Sequence, residues 1–312
     1  MKENEMNSLG FRLALGLSAT VLAASSIAQG NLYVSSEGTN SVKEYNGTTG
    51  AYIRDFVAAG DHGLGSPQGL TFDSSGNLYV SSLGSGQVLQ YDPNGNFTRV
   101  FASGFTYPAD ITWRNGLLYV SDAGANRSLK RYNASGTLID TFVTNVNDPD
   151  GQSWDAAGNL YLSIFSDNRV AKYSPTGTFL GNAVTVGQGG LNGHLDSLFL
   201  ANGDYLVNSF GTGTVKRYNL QTGTYLGDFI NVGGNTQGIQ IGNDGRIYAG
   251  DYQNGMIKRF DQNTGALLNT FTVGGGLVRP NNFAFSPVPE PSSVVAIAGL
   301  LFCLVRRKRS AK

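Results

Sequence analysis

The phrase P-Q-G-L-T-F-D-S-S-G-N-L-Y-V-S-S, from Pro67 to Ser82, returns in altered form along most of the chain. It recurs as P-A-D-I-T-W-R-N-G-L-L-Y-V-S-D from Pro108 to Asp122 and as P-D-G-Q-S-W-D-A-A-G-N-L-Y-L-S from Pro149 to Ser163. Looser copies run from His194 to Ser209 and from Gln237 to Asp251. The shared position falls at Tyr33, Tyr79, Tyr119, Tyr161, Leu206 and Tyr248, at spacings of 46, 40, 42, 45 and 42 residues. A period of this length requires an array of similar units, each packed on its neighbours, as in propellers and solenoids.

Each unit reads as four short strands. Leu70-Thr71-Phe72 and Leu78-Tyr79-Val80 are β-branched, aromatic or aliphatic, and Ser-Ser-Gly-Asn between them supplies the positive φ of a tight turn. A third segment ends in an aromatic at Tyr45, Tyr91, Tyr132, Tyr173, Tyr218 or Phe260. After a second Gly-bearing turn, a fourth ends at Phe56, Phe101, Phe142, Phe229 or Phe271. Four antiparallel strands in about forty residues make one propeller blade. With 43 Gly, 15 Tyr and 17 Phe but only 14% charged residues, turns and aromatic strands dominate, and no long amphipathic helix is visible.

The first unit lacks its first strand: Asn31-Leu32-Tyr33-Val34-Ser35-Ser36 matches a second strand with nothing before it. The missing piece stands at the far end, where Arg279 to Ser286 matches the opening of the phrase and stops. The expected fold is therefore all-β, a six-bladed β-propeller over residues 29–287, closed by pairing of its N- and C-terminal strands so that no sheet edge is left at the seam.

At the blade level the chain resembles the NHL-repeat family, whose repeat opens P-x-G-[IV]-x-[VF]-D, turns through x-x-G and continues [NR]-[IL]-Y-V-x-[DS]. The match covers roughly residues 31 to 287 and is best from Pro67 to Ser82. The fifth unit departs from it, with His194 in place of the proline and Leu206 in place of the tyrosine.

Both ends carry targeting features. Residues 1–28 hold Lys2 and Arg12, an apolar run from Leu13 to Ala24 and small residues at Ser26-Ile27-Ala28, the pattern of a signal peptide whose helix is cleaved after Ala28. Residues 288–312 place Pro289-Glu290-Pro291 before an apolar run over 294–305 and then Arg306-Arg307-Lys308-Arg309. This tail is similar to the PEP-CTERM sorting signal. The resemblance implies an exosortase-like partner acting at Pro-Glu-Pro, a membrane-inserted C-terminal helix, and a protein exported to the cell envelope, anchored there or released at the surface. A basic cluster after an apolar run is also how a stop-transfer segment holds its cytoplasmic end.

Seven basic and three acidic residues lie outside 29–287, which leaves the body 15 basic and 19 acidic. That balance gives no electrostatic case for nucleic acid. The single cysteine, Cys303, lies in the tail, so no disulfide forms within the chain. The two histidines, His62 and His194, lack metal-ligand spacing, and no G-x-S-x-G elbow or phosphate loop occurs.

One constellation stands out. At the third position of the phrase, where first strands line the channel of a propeller, the six blades supply Asn282, Gly69, Asp110, Gly151, Asp196 and Gly238. If they converge, Asp110, Asp196 and Asn282 could hold a hard cation such as calcium. Propellers of the gluconolactonase-like group hold a metal in this way, but the glutamate and the asparagine-bearing strand motif of that group are not both here. Asp150, one position earlier, joins Gln68, Gln237 and Asn281 in widening the polar mouth. The bland reading is that these groups satisfy neighbouring backbone. Asp73, Asp155 and Asp244 fall in hairpin turns, where a carboxylate caps the turn.

Three functions follow. The first, expected, is a non-catalytic binding or scaffold module for polysaccharide or protein partners. The alternatives are a metal-dependent hydrolase or lyase working through a channel cation, and a structural component of an extracellular matrix. Fold alone does not choose between them.

Overall fold

A computed structural model describes residues 29–287. The signal-peptide and C-terminal-helix expectations lie outside these residues. The described chain forms six four-stranded antiparallel sheets. In blade 1 the strand Pro280–Phe285 pairs with Leu32–Ser36, which is followed outward by Ser41–Tyr45 and Tyr52–Val57. The ring thus closes as the repeat requires, through Leu32↔Phe285, Tyr33↔Ala284 and Val34↔Phe283. Blades 2 to 6 follow in chain order, starting at Pro67, Pro108, Pro149, Ser197 and Thr236. Among the described residues every strand pairing lies between Leu32 and Phe285, and the six sheets close into a ring within them.

An antiparallel meander sorts its connections by face. Loops between strands two and three, and between blades, gather on one side, here the loop face; turns one–two and three–four gather on the other, the turn face. Second strands are buried along all of their length or all but the first residue, whereas fourth strands, such as Tyr52–Val57 and Leu138–Val143, are largely exposed until their last two residues.

Neighbouring blades are joined by an aromatic stack. The second-strand tyrosine meets the fourth-strand phenylalanine of its own blade and an aromatic on the first strand of the next: Tyr33 with Phe56 and Phe72, Tyr79 with Phe101 and Trp113, Tyr119 with Phe142 and Trp154, Tyr248 with Phe271 and Phe285. Ring centroids lie 4.8–5.6 Å apart, mostly edge to face, which suits the quadrupoles. An arginine covers the phenylalanine in five blades, Arg54 over Phe56, Arg99 over Phe101, Arg131 over Phe142, Arg217 over Phe229 and Arg259 over Phe271. Two of them also reach the next blade, since Arg54 donates to the Asn94 carbonyl and Arg99 to those of Ser135 and Ala134.

Blade 4 breaks the pattern, because Ala183 stands where the phenylalanine would be. Blade 5, which follows, has a first strand of only three residues, Ser197–Phe199. Its buried His194 uses Nε2 to accept the Ile164 amide at 3.1 Å. Burial depresses the His194 pKa to about 3, so the ring is neutral and structural.

Candidate functional site: the central channel

Five of the six first strands enter the channel through a bulge, with register shifts between Pro67 and Leu70, Pro108 and Ile111, Pro149 and Gln152, Gln237 and Ile239, and Pro280 and Phe283, whereas in blade 5 Asp196 lies just before the short strand Ser197–Phe199. The bulge frees the third position of the phrase from the ladder. There the structure brings Asp110, Asp196 and Asn282 to the inner end of one cavity of about 360 Å³. Its walls come from the later halves of the first strands, including Leu70, Thr112, Leu198, Gln240 and Ala284, so it opens toward the turn face.

The intervening glycines are sterically required. A Cβ on Gly151 would lie 1.9 Å from the Leu195 carbonyl oxygen and 2.8 Å from Asp196 Cα. One on Gly69 would lie 2.7 Å from the Ile111 nitrogen and 2.8 Å from Asp110 Cα. Gly238 adopts φ +68° and faces the Phe283 ring. The acid–glycine alternation is therefore a packing rule, in which a side-chain-bearing bulge leaves the adjoining blade no room for a Cβ.

The three polar side chains are spent on the ring. Asp110 accepts the Gln152 amide of blade 4 at 3.1 Å with one oxygen and Asn282 Nδ2 of blade 1 at 2.9 Å with the other. Asp196 accepts its neighbour Ser197 at 2.7 Å and the Ile239 amide of blade 6 at 3.0 Å. Asn282 Oδ1 accepts the Phe283 amide at 2.7 Å, which fixes the orientation of its side chain. A flipped amide would set two donors against each other. Asn282 thus turns its NH₂, a donor, toward Asp110, and a cation cage needs an oxygen there. As placed, the set does not fit a metal ion. Among the described residues no group of three or more His, Cys, Asp or Glu side chains is placed to hold a metal ion.

Asp150 is not part of this cavity. It sits nearer the loop face, where its backbone carbonyl accepts Ser121 Oγ at 2.7 Å and its charge, with those of Glu37 and Asp148, acts on Tyr107. Asn281 there donates to Gln68 and Glu37, and Glu37 also accepts Tyr252. Sequence reading overlooked Asp122, the last residue of a second strand. It is fully buried and accepts the Thr106 and Tyr107 amides, Asn126 and Lys130. Ser36, Ser82 and Ser209 hold the same position and bond the Val278, Gly65 and Asn192 amides. The signal was present as the final Asp or Ser of the repeat. The turn aspartates do cap their hairpins, Asp73 accepting Ser75 and Asn77 amides and Asp155 that of Asn159.

Burial dominates the channel carboxyls. It raises Asp110 and Asp150 well above the usual carboxylate range, aided for Asp110 by the Asp196 charge and for Asp150 by that of Asp110, and it pushes Asp196 up to about 6 against two backbone donors. A folded chain with raised carboxyl pKa values holds more protons than the unfolded one, so stability rises as pH falls through that window. For Asp196 the window runs from about 6 down to the unfolded value of about 3.9. The urea midpoint is expected to increase between pH 7 and pH 5, with a shallower slope in Asp196→Asn. A midpoint that is flat or falling over that range in the wild type would count against the assignment.

No family model matches the sequence, and no curated protein matches it. Solved structures do match its shape. A protein of unknown function from Bacteroides caccae aligns with TM-score 0.67 at 14% identity over 83% of this chain and 100% of that one. A chain of the nidogen/laminin complex gives 0.66 at 14% identity, covering 82% and 98%. Virginiamycin B lyase from Staphylococcus aureus gives 0.54 at 15% identity, covering 69% and 73%. At such identities the likeness establishes the class, a six-bladed β-propeller.

Proposed function

We propose that this chain is an exported propeller held at the cell envelope by its C-terminal tail, where it acts as a non-catalytic binding or scaffold module for a polysaccharide or protein partner. One observation carries the non-catalytic part: each oxygen of Asp110 and Asp196, and that of Asn282, already accepts a hydrogen bond from the ring itself. Side chains so occupied position blades, and an added nucleophile or ion would have to break those clips.

The motifs support the address. The Pro289-Glu290-Pro291 tail fits a PEP-CTERM substrate of an exosortase-like enzyme, and the repeat fits NHL-type blades. Structural neighbours point both ways, one being seen in the nidogen/laminin complex and another being a lyase.

The test is calorimetric titration of calcium into residues 29–287, beside Asp110→Ala/Asp196→Ala, with envelope polysaccharide presented in parallel. Expected are no saturable heat at millimolar calcium and retention of the folded ring on the polymer. Saturable binding that the double variant abolishes would replace this reading with that of a metal-dependent hydrolase or lyase.

A further inference from the structure

The outer edge of the ring carries a repeated apolar pair that packing leaves largely exposed, although Tyr52, Phe179 and Tyr225 each turn one side of their aromatic ring onto the third-strand tyrosine of their own blade. Directly after the three–four turn, the fourth strands carry Tyr52-Ile53, Leu138-Ile139, Phe179-Leu180, Tyr225-Leu226 and Leu267-Leu268 at or next to their first residue. Exposure of these side chains reaches 56% at Leu267 and 54% at Leu180. Blade 2 is the exception, with Phe97-Thr98, and there His62 stacks on Phe97 at 3.8 Å. Consecutive residues point to opposite faces of a strand, so each pair wraps both sides of an unpaired edge. Exposed apolar edges are normally blunted, because they recruit partners.

These pairs share one level of the ring, at the turn face. They are distributed around its circumference, so the only flat body that can meet all of them at once is one on which the ring lies.

The chain leaves the ring on that same face. Gln29 precedes the second strand of blade 1 and bonds the Asp244 amide in a one–two turn, and Pro287 follows the end of the innermost strand of the same blade. Six residues, 288–293, separate Pro287 from the apolar run over 294–305. Fully extended, the seven steps from Pro287 to residue 294 span at most about 25 Å. To reach the loop face from outside, they would have to cross three strand spacings, about 14 Å, and then climb a strand length of about 17 Å. The linker is too short for that path.

We propose that the turn face is the membrane-facing side of this protein, with the apolar edge pairs resting in the headgroup region of the bilayer and the loop face directed away from it. This rests on the reading of the tail as a membrane anchor. The contact is apolar in kind. Neighbouring charges are largely paired within the ring, as Arg54 with Glu44, Arg131 with Asp140 and Arg217 with Asp204, so the surface does not depend on anionic lipid. It also assigns the partner-binding role to the loop face, where Tyr107, Tyr252, Glu37 and Asp150 gather.

The test uses the chain carrying its own tail, reconstituted in phosphatidylcholine vesicles, with Cys303→Ser as background. Single cysteines are introduced as Leu180→Cys and Leu268→Cys at the edge and Ala125→Cys on the loop face, and each is labelled with a bimane. Brominated lipid should remove about half of the emission of the two edge labels, consistent with burial of ~5–10 Å into the headgroup boundary, and leave the Ala125→Cys label unchanged. High salt should not reverse the quenching, since screening acts on charge. Alkaline carbonate extraction of the same vesicles reports the anchor separately. Protein stripped by carbonate overturns both the anchor and the orientation. Protein that is retained, with edge labels quenched no more than the loop label, overturns the orientation alone. A detergent-solubilised dimer dispersed by Leu180→Glu would instead assign the edge to a second copy and equally overturn it.

Discussion

Replacing Asp122 with alanine is expected to cost about 3–5 kcal/mol of folding stability, the range for removing one partner from a buried ion pair. Asp122 is fully buried, and its carboxylate does several things at once. It pairs with Lys130 at 3.1 Å, whose side chain is only 17% exposed and would be left without its counter-charge. It also accepts the Thr106 and Tyr107 amides, which belong to the loop entering blade 3. Urea unfolding of residues 29–287 reads the loss. Ser82→Ala at the same position of blade 2 removes an acceptor of the Gly65 amide at 3.0 Å but strands no charge, and should cost about 1 kcal/mol. Equal losses in the two variants would show that the ion pair adds nothing. Acid should reproduce part of the Asp122 effect. Burial raises its pKa, but Asn126, the Tyr107 amide and Lys130 more than offset that, so the folded value lies below the usual one. Its contribution is therefore present above about pH 4 and is lost as pH falls through the folded pKa. That sign is opposite to the one expected for Asp196, so the wild type should gain stability from pH 7 to 5 and lose it on further acidification.

Much of this architecture was legible because a period-two strand pattern, repeated with glycine turns, admits few packings. Tyr79 and Phe72 announced strands, and the orphan opening at Pro280–Phe285 announced the closure seen in Leu32↔Phe285. The channel residues were legible as a set, since a common register position must converge on the axis. Their chemistry was not. Whether an oxygen at Asp110 is free or already accepts Gln152 depends on where the neighbouring blade's bulge places an amide, a distance between segments 42 residues apart. The same holds for Asn282, whose orientation is set by the Phe283 amide and not by its residue type. Asp150 shows the limit of position counting: one step along a bulged strand put it outside the cavity that holds Asp110 and Asp196. The exposed edge pairs went unread for a related reason, because an apolar pair in a strand looks the same whether it is covered or not.

The glycines of the three–four turns allow the inter-blade seam to be tested without touching the channel. Each occupies the same position with positive φ, yet their surroundings differ. A Cβ on Gly50 would lie 1.8 Å from the Phe271 carbonyl oxygen, and one on Gly265 would lie 2.0 Å from that of Phe229. At Gly95, Gly136 and Gly177 the carbonyls of Phe56, Phe101 and Phe142 lie 2.4 Å away. At Gly223, whose neighbouring blade 4 has Ala183 in place of the phenylalanine, no described atom comes within 4 Å, so the carbonyl that meets the other five glycines is not close here. Backbone strain is common to all six, so Gly223→Ala should cost only the left-handed penalty of about 1–2 kcal/mol. Gly50→Ala adds a clash with backbone that cannot rotate away, and overpacking contributes a further ~1–3 kcal/mol, for a total of about 4 kcal/mol. Gly95→Ala, Gly136→Ala and Gly177→Ala should fall between. Gly50 lies on the seam between blade 6 and blade 1, the blade in which the two ends of the described chain pair, so its variant should also loosen that seam first to proteolysis. A Gly223→Ala loss as large as that of Gly50→Ala would mean that the seams are held without close contact between turn and carbonyl, and that the phenylalanine missing from blade 4 leaves its junction no looser than the other five.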